Sequence, residues 1–195
     1  MKKIISLILV LVLCVSFVAC SDEESHGNDG VSKTFTYFNE NVNTAEYLWV
    51  ISFGDETLTM ATKNGVNYNK TENSENTEVQ IYKDAKVYRV YDANKAYMVY
   101  DDTENDCFRV ETLKSTGINK DNFKSGKNTV EGKEYYYEEF SAENGQDRYY
   151  FDGEELKYIE FIQDGTSTFI KIESAKNSAD DSLFEIPSDY ELVEY

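Results

Sequence analysis

The sequence predicts a mostly β protein built on one antiparallel sheet, and three observations support this fold class. Between residues 133 and 175, short runs rich in Tyr, Phe, Ile and Thr alternate with pairs of turn-forming residues. Such pairs suit two-residue hairpin turns in which both residues have positive φ, and they are Asn144-Gly145, Asp152-Gly153 and Asp164-Gly165. The 195 residues include 16 Tyr, 11 Phe and a single Pro, so few strands are interrupted. Four strands joined by three tight turns are therefore predicted here.

The N-terminus has the pattern of an export signal. Lys2 and Lys3 precede an almost unbroken apolar run over residues 4–18, which ends at Ala19-Cys20. The run is shorter than a comfortable membrane span, and a positive start followed by a short apolar stretch is typical of signal peptides.

The end of this run resembles the lipobox of bacterial lipoproteins, in which a small residue precedes a cysteine. The resemblance implies a lipoprotein signal peptide over residues 1–19 and a diacylglycerol thioether on Cys20, which anchors the mature protein on the extracytoplasmic side of the cell membrane. Phe17 stands where the family usually has Leu. Cys14 is the rival site, but Leu13 before it is too large for the cleavage pocket. A plain secretory signal or an uncleaved anchor is the alternative.

Residues 20–30 are predicted to be a flexible, acidic tether, because they are polar and contain glycine. The only histidine of the chain, His26, lies in this tether. Residues 31–195 are predicted to form a single antiparallel β domain.

The domain is predicted to begin with a short helix and a buried strand. Phe35, Phe38 and Val42 recur at helical spacing within residues 31–42. Residues 46–53 are the most apolar run of the domain, as expected for a strand that is covered on both faces.

Hairpin signals continue through the middle of the chain. Gly54-Asp55 and Asn64-Gly65 predict tight turns. The spacing of Tyr, Asp and Lys repeats loosely across residues 82–97, which indicates consecutive strand-turn-strand units.

A further strand is predicted over residues 107–113, where Phe108 and Val110 alternate with charged residues and Cys107 falls on the polar face. Residues 114–132 are polar and spaced with glycine, which predicts a long mobile loop.

The C-terminus is predicted to hold one helical turn over residues 177–183, with Ser178 as its cap. A last short strand is predicted over residues 190–194.

Composition and missing motifs narrow the function. A formal charge of −18 argues against nucleic-acid partners. With no histidine outside the tether, the usual base of Ser-His and Cys-His catalysis is absent, and the sequence contains no HExxH, CxxC, GxGxxG or P-loop spacing. The acidic stretch over residues 101–106 lacks the Gly and Glu of an EF-hand loop. We therefore expect no enzyme activity, no cofactor and no transition metal.

The order of these features resembles a known group of proteins. A lipobox, a short helix, a long antiparallel meander and the closing segment over residues 180–191 resemble the small lipoproteins of the lipoprotein-carrier-like (LolA-like) superfamily. Residues 81–97 are similar to the hairpin that follows the first strands in that group. The resemblance implies a single curved antiparallel sheet, a half barrel, with a few short helices plugging its open side and an apolar cavity between them.

A binding or carrier role for an acyl, lipid or other hydrophobic ligand is the leading hypothesis. A pocket is predicted on one face of two neighbouring strands, and its candidate residues are Tyr47, Trp49, Ile51, Phe53, Leu58 and Met60. The alternative is a surface module that binds protein or glycan through a tyrosine-rich sheet face. An oligosaccharide-processing enzyme is the third hypothesis, because carboxylate pairs are abundant.

Overall fold

The computed structural model describes residues 30–42, 45–102 and 107–193. The predicted signal peptide, Cys20 and all of the tether except Gly30 lie outside the described residues. Within the described part, one open, curved sheet of 12 strands is accompanied by a single α-helix and three short 3-10 turns, which confirms the predicted fold class.

The helix, α1, spans Lys33–Asn41, as predicted. The strands are β1 (Glu46–Phe53), β2 (Glu56–Lys63), β3 (Val66–Glu72), β4 (Thr77–Lys83), β5 (Lys86–Tyr91), β6 (Ala96–Asp101), β7 (Lys124–Val130), β8 (Lys133–Ala142), β9 (Gly145–Asp152), β10 (Glu155–Gln163), β11 (Thr166–Lys176) and β12 (Glu191–Leu192).

The sheet consists of two meanders joined at its centre. Strands β1 to β6 pair in sequence, as do β7 to β11, and the two series meet where β1 pairs with β11. All of these pairs are antiparallel. Strand β12 is the exception, because it joins β6 in parallel. The outer edges of the sheet are therefore β7 and the two-residue β12.

Of the four predicted Asn-Gly and Asp-Gly pairs, two have the expected backbone and two differ. Asn64-Gly65 and Asp164-Gly165 have positive φ at both positions. The turn after β9 is shifted by one residue, because Asp152 pairs with Glu155 and the loop begins at Gly153.

The predicted positive φ at Asn144-Gly145 is wrong. Gly145 pairs with Ala142 and already belongs to β9, and neither Asn144 nor Gly145 has positive φ. Glycine is required there for space instead, because a Cβ atom would lie 1.9 Å from the carbonyl oxygen of Ile162.

Two predicted segments of the middle of the chain differ from the structure. Residues 107–113 are not a strand; a 3-10 turn over Val110–Leu113 buries both of its terminal side chains instead. The predicted mobile loop contains strand β7, which obtains its backbone hydrogen bonds from β8. Its Lys124 and Lys127 are typical of an edge strand protected against further pairing.

The C-terminal turn is displaced from its predicted position. It spans Asp181–Phe184, and its cap is Asp180, whose side chain accepts a hydrogen bond from the Ser182 amide, rather than Ser178. The last strand is shorter than predicted, Glu191–Leu192.

A buried carboxylate fixes α1 to the sheet. Glu138 of β8 is 1% exposed and accepts hydrogen bonds from Ser32 Oγ (2.7 Å), the amides of Lys33 (2.9 Å) and Thr34 (2.8 Å), and the Tyr136 hydroxyl (3.1 Å). Because the first amides of a helix lack intrahelical acceptors, this carboxylate satisfies them and complements the positive end of the helix. Ser32 also caps the helix by accepting from the Phe35 amide.

The two faces of the sheet are covered differently. The core face carries the large buried side chains under α1, where the Phe38 ring lies 5.6 Å from that of Tyr149 and 6.1 Å from that of Trp49. On the outer face, residues 179–190 of the C-terminal segment pack over β2 to β6, with Phe184 against Tyr68. The outer side of β7 to β10 carries a cluster made only of residues of the sheet itself.

Candidate functional site

A groove of about 650 Å³ opens on the core face beside α1. It runs over the neighbouring strands β11, β1, β2, β3 and β4. The described residues that line it are Ile51, Phe53, Glu56, Leu58, Asn69, Thr71, Asn73, Asn76, Glu78, Gln80, Tyr82, Phe108, Thr168 and Ile170. The groove thus continues the core face beyond the part that the helix covers.

The strand register makes the floor of this groove change from apolar to polar. In one row across the sheet, Ile51 of β1 lies opposite Leu58 of β2, which lies opposite Thr71 of β3, which lies opposite Glu78 of β4. The next row repeats the order with Trp49, Met60, Asn69 and Gln80. Since side chains in such rows share one face, the apolar half lies over β1 and β2 and the polar half over β3 and β4.

Exposed aromatic rings border the apolar half. Phe53 at the end of β1 is 40% exposed and Phe108 is 39% exposed. Leu58 is buried, and Ile170 of β11 is half-buried. Two exposed phenyl rings beside buried aliphatic side chains give the groove apolar surface that water covers in the free protein.

A hydrogen-bonded row of side chains on β4 forms the far wall of the polar half. The Tyr82 hydroxyl donates to Gln80 Oε1, and Gln80 Nε2 donates to Glu78 Oε1 at 2.5 Å. Arg89 of β5 places its Nε 3.2 Å from the same Glu78 oxygen. This row holds Glu78 in position and balances its charge from one side.

Asn69 connects the groove to a buried thiol. Its side chain is 8% exposed; Nδ2 lies 3.9 Å from Cys107 Sγ, while Oδ1 has no hydrogen-bond partner among the described residues. Cys107 was predicted on a polar face, but it is 8% exposed and packs against Tyr82 and Val87. Burial raises the pKa of the Cys107 thiol, and a hydrogen bond with Arg109 opposes this effect. The thiol is therefore poorly ionised at neutral pH.

The structure divides the six predicted pocket residues into two groups. Ile51, Phe53 and Leu58 line the groove. Tyr47, Trp49 and Met60 do not; they are 2%, 0% and 1% exposed and belong to the closed core under α1.

Burial also perturbs Tyr47, which lies in that closed core. It raises the pKa of the Tyr47 hydroxyl to about 12, with a smaller contribution from Glu111, whose Oε2 lies 3.4 Å away. Tyr47 is thus shielded from water in the closed core, whereas Phe53 and Phe108 of the groove are 40% and 39% exposed.

Sequence reasoning missed Asn69, Phe108 and Ile170 as lining residues. The alternation of side chains in residues 166–172 is a local signal that could have placed Ile170 on the core face. Phe108 carries no such signal, because it lies outside any strand.

The tyrosine-rich face is the outer side of β8 to β10. Arg148 of β9 lies between two buried carboxylates, with Nε 2.8 Å from Glu139 and Nη1 3.6 Å from Glu160, and its guanidinium stacks 5.0 Å from the Tyr137 ring centre. The Tyr150 hydroxyl donates to Glu160 at 2.5 Å, and burial, followed by this bond, raises its pKa to about 12. The network pairs the charges of Arg148 and the two carboxylates within the face itself.

The described residues also bear on two other classes of site, metal centres and membrane spans. No group of three or more His, Cys, Asp or Glu residues is arranged there to hold a metal ion. Among the helices of the same described part, none has the length and apolar character needed to cross a membrane.

Comparison with known proteins gives little further information. No protein-family model matches the chain, and no curated protein matches it. Among solved structures, the chain is similar to an uncharacterized conserved protein from Thermus thermophilus, with 10% identity, a TM-score of 0.43, and coverage of 83% of this chain and 96% of that one. A likeness at this level supports no inference about function.

Proposed function

We propose that this chain is a non-enzymatic, lipid-anchored extracytoplasmic protein that binds a hydrophobic or single-chain amphiphilic ligand in the groove. The observation that carries the proposal is the groove itself. Its volume of about 650 Å³ falls within the range of small-molecule sites, roughly 300–1,000 Å³. Its floor offers apolar side chains on β1, β2 and β11 and polar ones on β3 and β4, which matches a ligand with an apolar chain and a polar head.

The N-terminal sequence supports the proposed location, anchored by lipid on the extracytoplasmic side of the membrane. An apolar run that ends at Ala19-Cys20 suits lipid attachment, and two acyl chains on Cys20 would hold the protein at the membrane surface. An anchored protein with an open apolar groove could take up an amphiphile from, or deliver it to, the adjacent bilayer.

The test uses Trp49, the only tryptophan of the chain, whose neighbour on the same face, Ile51, lines the groove. The full chain is reconstituted into phosphatidylcholine vesicles, which have no tryptophan emission of their own, and titrated with decanol, a neutral single-chain probe. We expect a saturable change in Trp49 emission and a higher unfolding temperature, because a ligand bound only to the folded state stabilises it.

Two phenylalanine variants test whether the binding occurs in the groove. Phe108→Ala removes a ring that covers the apolar half; a loss of about 50 Å² of buried apolar surface corresponds to about 1.2 kcal/mol and a roughly 5- to 10-fold weaker affinity. Phe169→Ala is the matched control, because Phe169 is 38% exposed but lies on the outer face of β11, beside Tyr150. Unchanged Trp49 emission and thermal stability at saturating decanol would reject the proposal.

A surface module is the second candidate, and the uncovered outer side of β8 to β11 favours it. Tyr135, Tyr137 and Phe169 are partly exposed there, whereas the C-terminal segment covers the outer side of the first meander. If this face binds a glycan or protein, Tyr137→Ala should weaken that binding while Phe108→Ala leaves it unchanged. The opposite order of effects would contradict this candidate.

A further inference from the structure

We infer that the groove selects ligands by the charge of their head and takes amphiphiles with a cationic, ammonium-type head in preference to fatty-acid or phosphate anions. The inference rests on the proposed function, since it concerns the ligand of the same groove. It is carried by three lining side chains that bear negative charge or offer a hydrogen-bond acceptor, Glu56, Asn69 and Glu78.

The formal charges among the described lining residues are both negative. They belong to Glu56 and Glu78, and no Lys, Arg or His lines the groove in the described part of the chain. Glu56 lies opposite Phe53, at the rim of the apolar half, and its side-chain carboxylate has no hydrogen-bond or ion-pair partner among the described residues. A carboxylate without a cation beside an apolar floor attracts a positive head and repels a negative one.

A buried amide side chain of the lining also offers an acceptor. Asn69 is more than nine-tenths buried; its Nδ2 faces the Cys107 thiol, and its Oδ1 has no partner among the described residues. A buried acceptor without a donor is costly, because it has lost its hydrogen bonds to water. An N–H group of a ligand would satisfy it, whereas a carboxylate or phosphate oxygen would not.

The positive charge beside the β4 wall of the groove is already paired with a carboxylate of the lining. Arg89 Nε lies 3.2 Å from Glu78 Oε1, an ion pair in which Nε makes no hydrogen bond among the described residues, and the same oxygen accepts a hydrogen bond from Gln80. Arg89 is not a lining residue, so an anionic head would have to compete with Glu78 for it. The groove thus has one carboxylate whose charge is balanced by a cation, Glu78, and one without a cation, Glu56.

The test compares three probes with the same ten-carbon chain, decylammonium, decanol and decanoate, titrated into the full chain in phosphatidylcholine vesicles and followed by Trp49 emission. We expect decylammonium to bind about tenfold or more tightly than decanoate, with decanol between them. Raising the salt concentration should reduce this difference, because ions screen charges in a partly exposed groove.

Two glutamate variants locate the effect. Glu56→Gln should lower the preference for decylammonium over decanoate at least about threefold. Glu78→Gln should lower it further, because it removes one carboxylate and leaves Arg89 without its partner. Both side chains are partly exposed, so the variants should fold, and their unfolding temperatures without probe provide the check.

Glu72→Gln is the matched control. It changes the net charge by the same amount and lies on β3 between the two glutamates, but its side chain projects from the opposite face of the sheet, where it pairs with Lys70 at 2.8 Å. It should leave the preference unchanged within about twofold.

The outcomes separate the two proposals. If decanoate binds as tightly as decylammonium, or if Glu72→Gln lowers the preference as much as Glu56→Gln, head selection by the groove is overturned while the proposed function stands. If none of the three probes binds, the proposed function fails and this inference fails with it.

Discussion

Replacing Glu138 by Gln should detach the beginning of α1 from the sheet. Glu138 is the buried acceptor for four donors, which come from Ser32, Lys33, Thr34 and Tyr136. Each of its two oxygens accepts one hydroxyl and one backbone amide. A Gln side chain has the same shape but carries an NH₂ group in place of one oxygen, so in either orientation it sets a donor against a backbone N–H.

The expected magnitude follows from these contacts. A hydrogen bond to a charged group contributes roughly 1.5–3 kcal/mol, and one backbone amide loses its acceptor in the variant. A negative charge at a helix N-terminus contributes roughly 0.3–1 kcal/mol more. We therefore expect Glu138→Gln to lower the free energy of unfolding by about 3 kcal/mol, a large part of the roughly 5–15 kcal/mol typical of a domain.

Urea unfolding measures this loss as a lower midpoint at an unchanged slope. Glu134→Gln is the control on the same strand, because its side chain is 63% exposed and its pairing with Lys127 at 3.0 Å is a surface ion pair. Such a pair contributes less than about 1 kcal/mol, so this variant should unfold close to the wild-type midpoint. If Glu138→Gln and Glu134→Gln unfold at the same urea concentration, the carboxylate does not anchor the helix.

Two further predictions concern the turn at β9 and the buried thiol. Gly145→Ala should lower the free energy of unfolding, measured in urea, by about 2–3 kcal/mol, because the new Cβ would lie 1.9 Å from the Ile162 carbonyl oxygen. Gly165→Ala should lower it by only about 1 kcal/mol, because Gly165 has φ +77° but open space around it. Equal losses would contradict the close approach at Gly145. Iodoacetamide should alkylate Cys107 at least about tenfold more slowly in the folded than in the urea-unfolded chain, since burial raises its pKa and limits access. The rate, followed by mass spectrometry of the Cys107 peptide, should rise with pH as thiolate forms; equal rates in both states would contradict this burial.

The sequence predicted the parts of the fold that depend on local chemistry. Asn64-Gly65 and Asp164-Gly165 form the expected turns because their residues tolerate positive φ with little strain. Asp84-Ala85 has positive φ at both positions without any glycine, so its residues gave no such signal. Its flanking strands must therefore supply the energy that holds this backbone in place.

The parts that depend on distant partners were not predictable in the same way. Residues 124–130 contain Lys, Ser, Gly and Asn, which disfavour strands, yet pairing with β8 makes them one. In residues 107–113 the alternation is too short to distinguish a strand from a turn. Val110 and Leu113 are buried in the core. Their burial depends on packing against distant residues, which no local sequence pattern reveals.

The candidate site shows the same division. Alternation in β1 placed Trp49, Ile51 and Phe53 on one face, and the structure agrees. Whether a residue of that face is buried under α1 or lines the groove depends on how much of the sheet α1 covers. Trp49 lies under Phe38, while Phe53 lies beyond the helix. Asn69 enters the site only through the register of β2 with β3.

The junction of β1 with β11 has a consequence for how the chain folds. Every other antiparallel pairing of the described strands joins neighbours in sequence, which hairpins complete in about 1–10 μs. Val50, however, pairs with Ser174, more than a hundred residues later. Closing so long a loop carries an entropic cost that no local turn offsets, and non-local pairings of this kind slow folding. We therefore expect the two meanders to form before they join, and the pairing of β1 with β11 to be a slow step of folding.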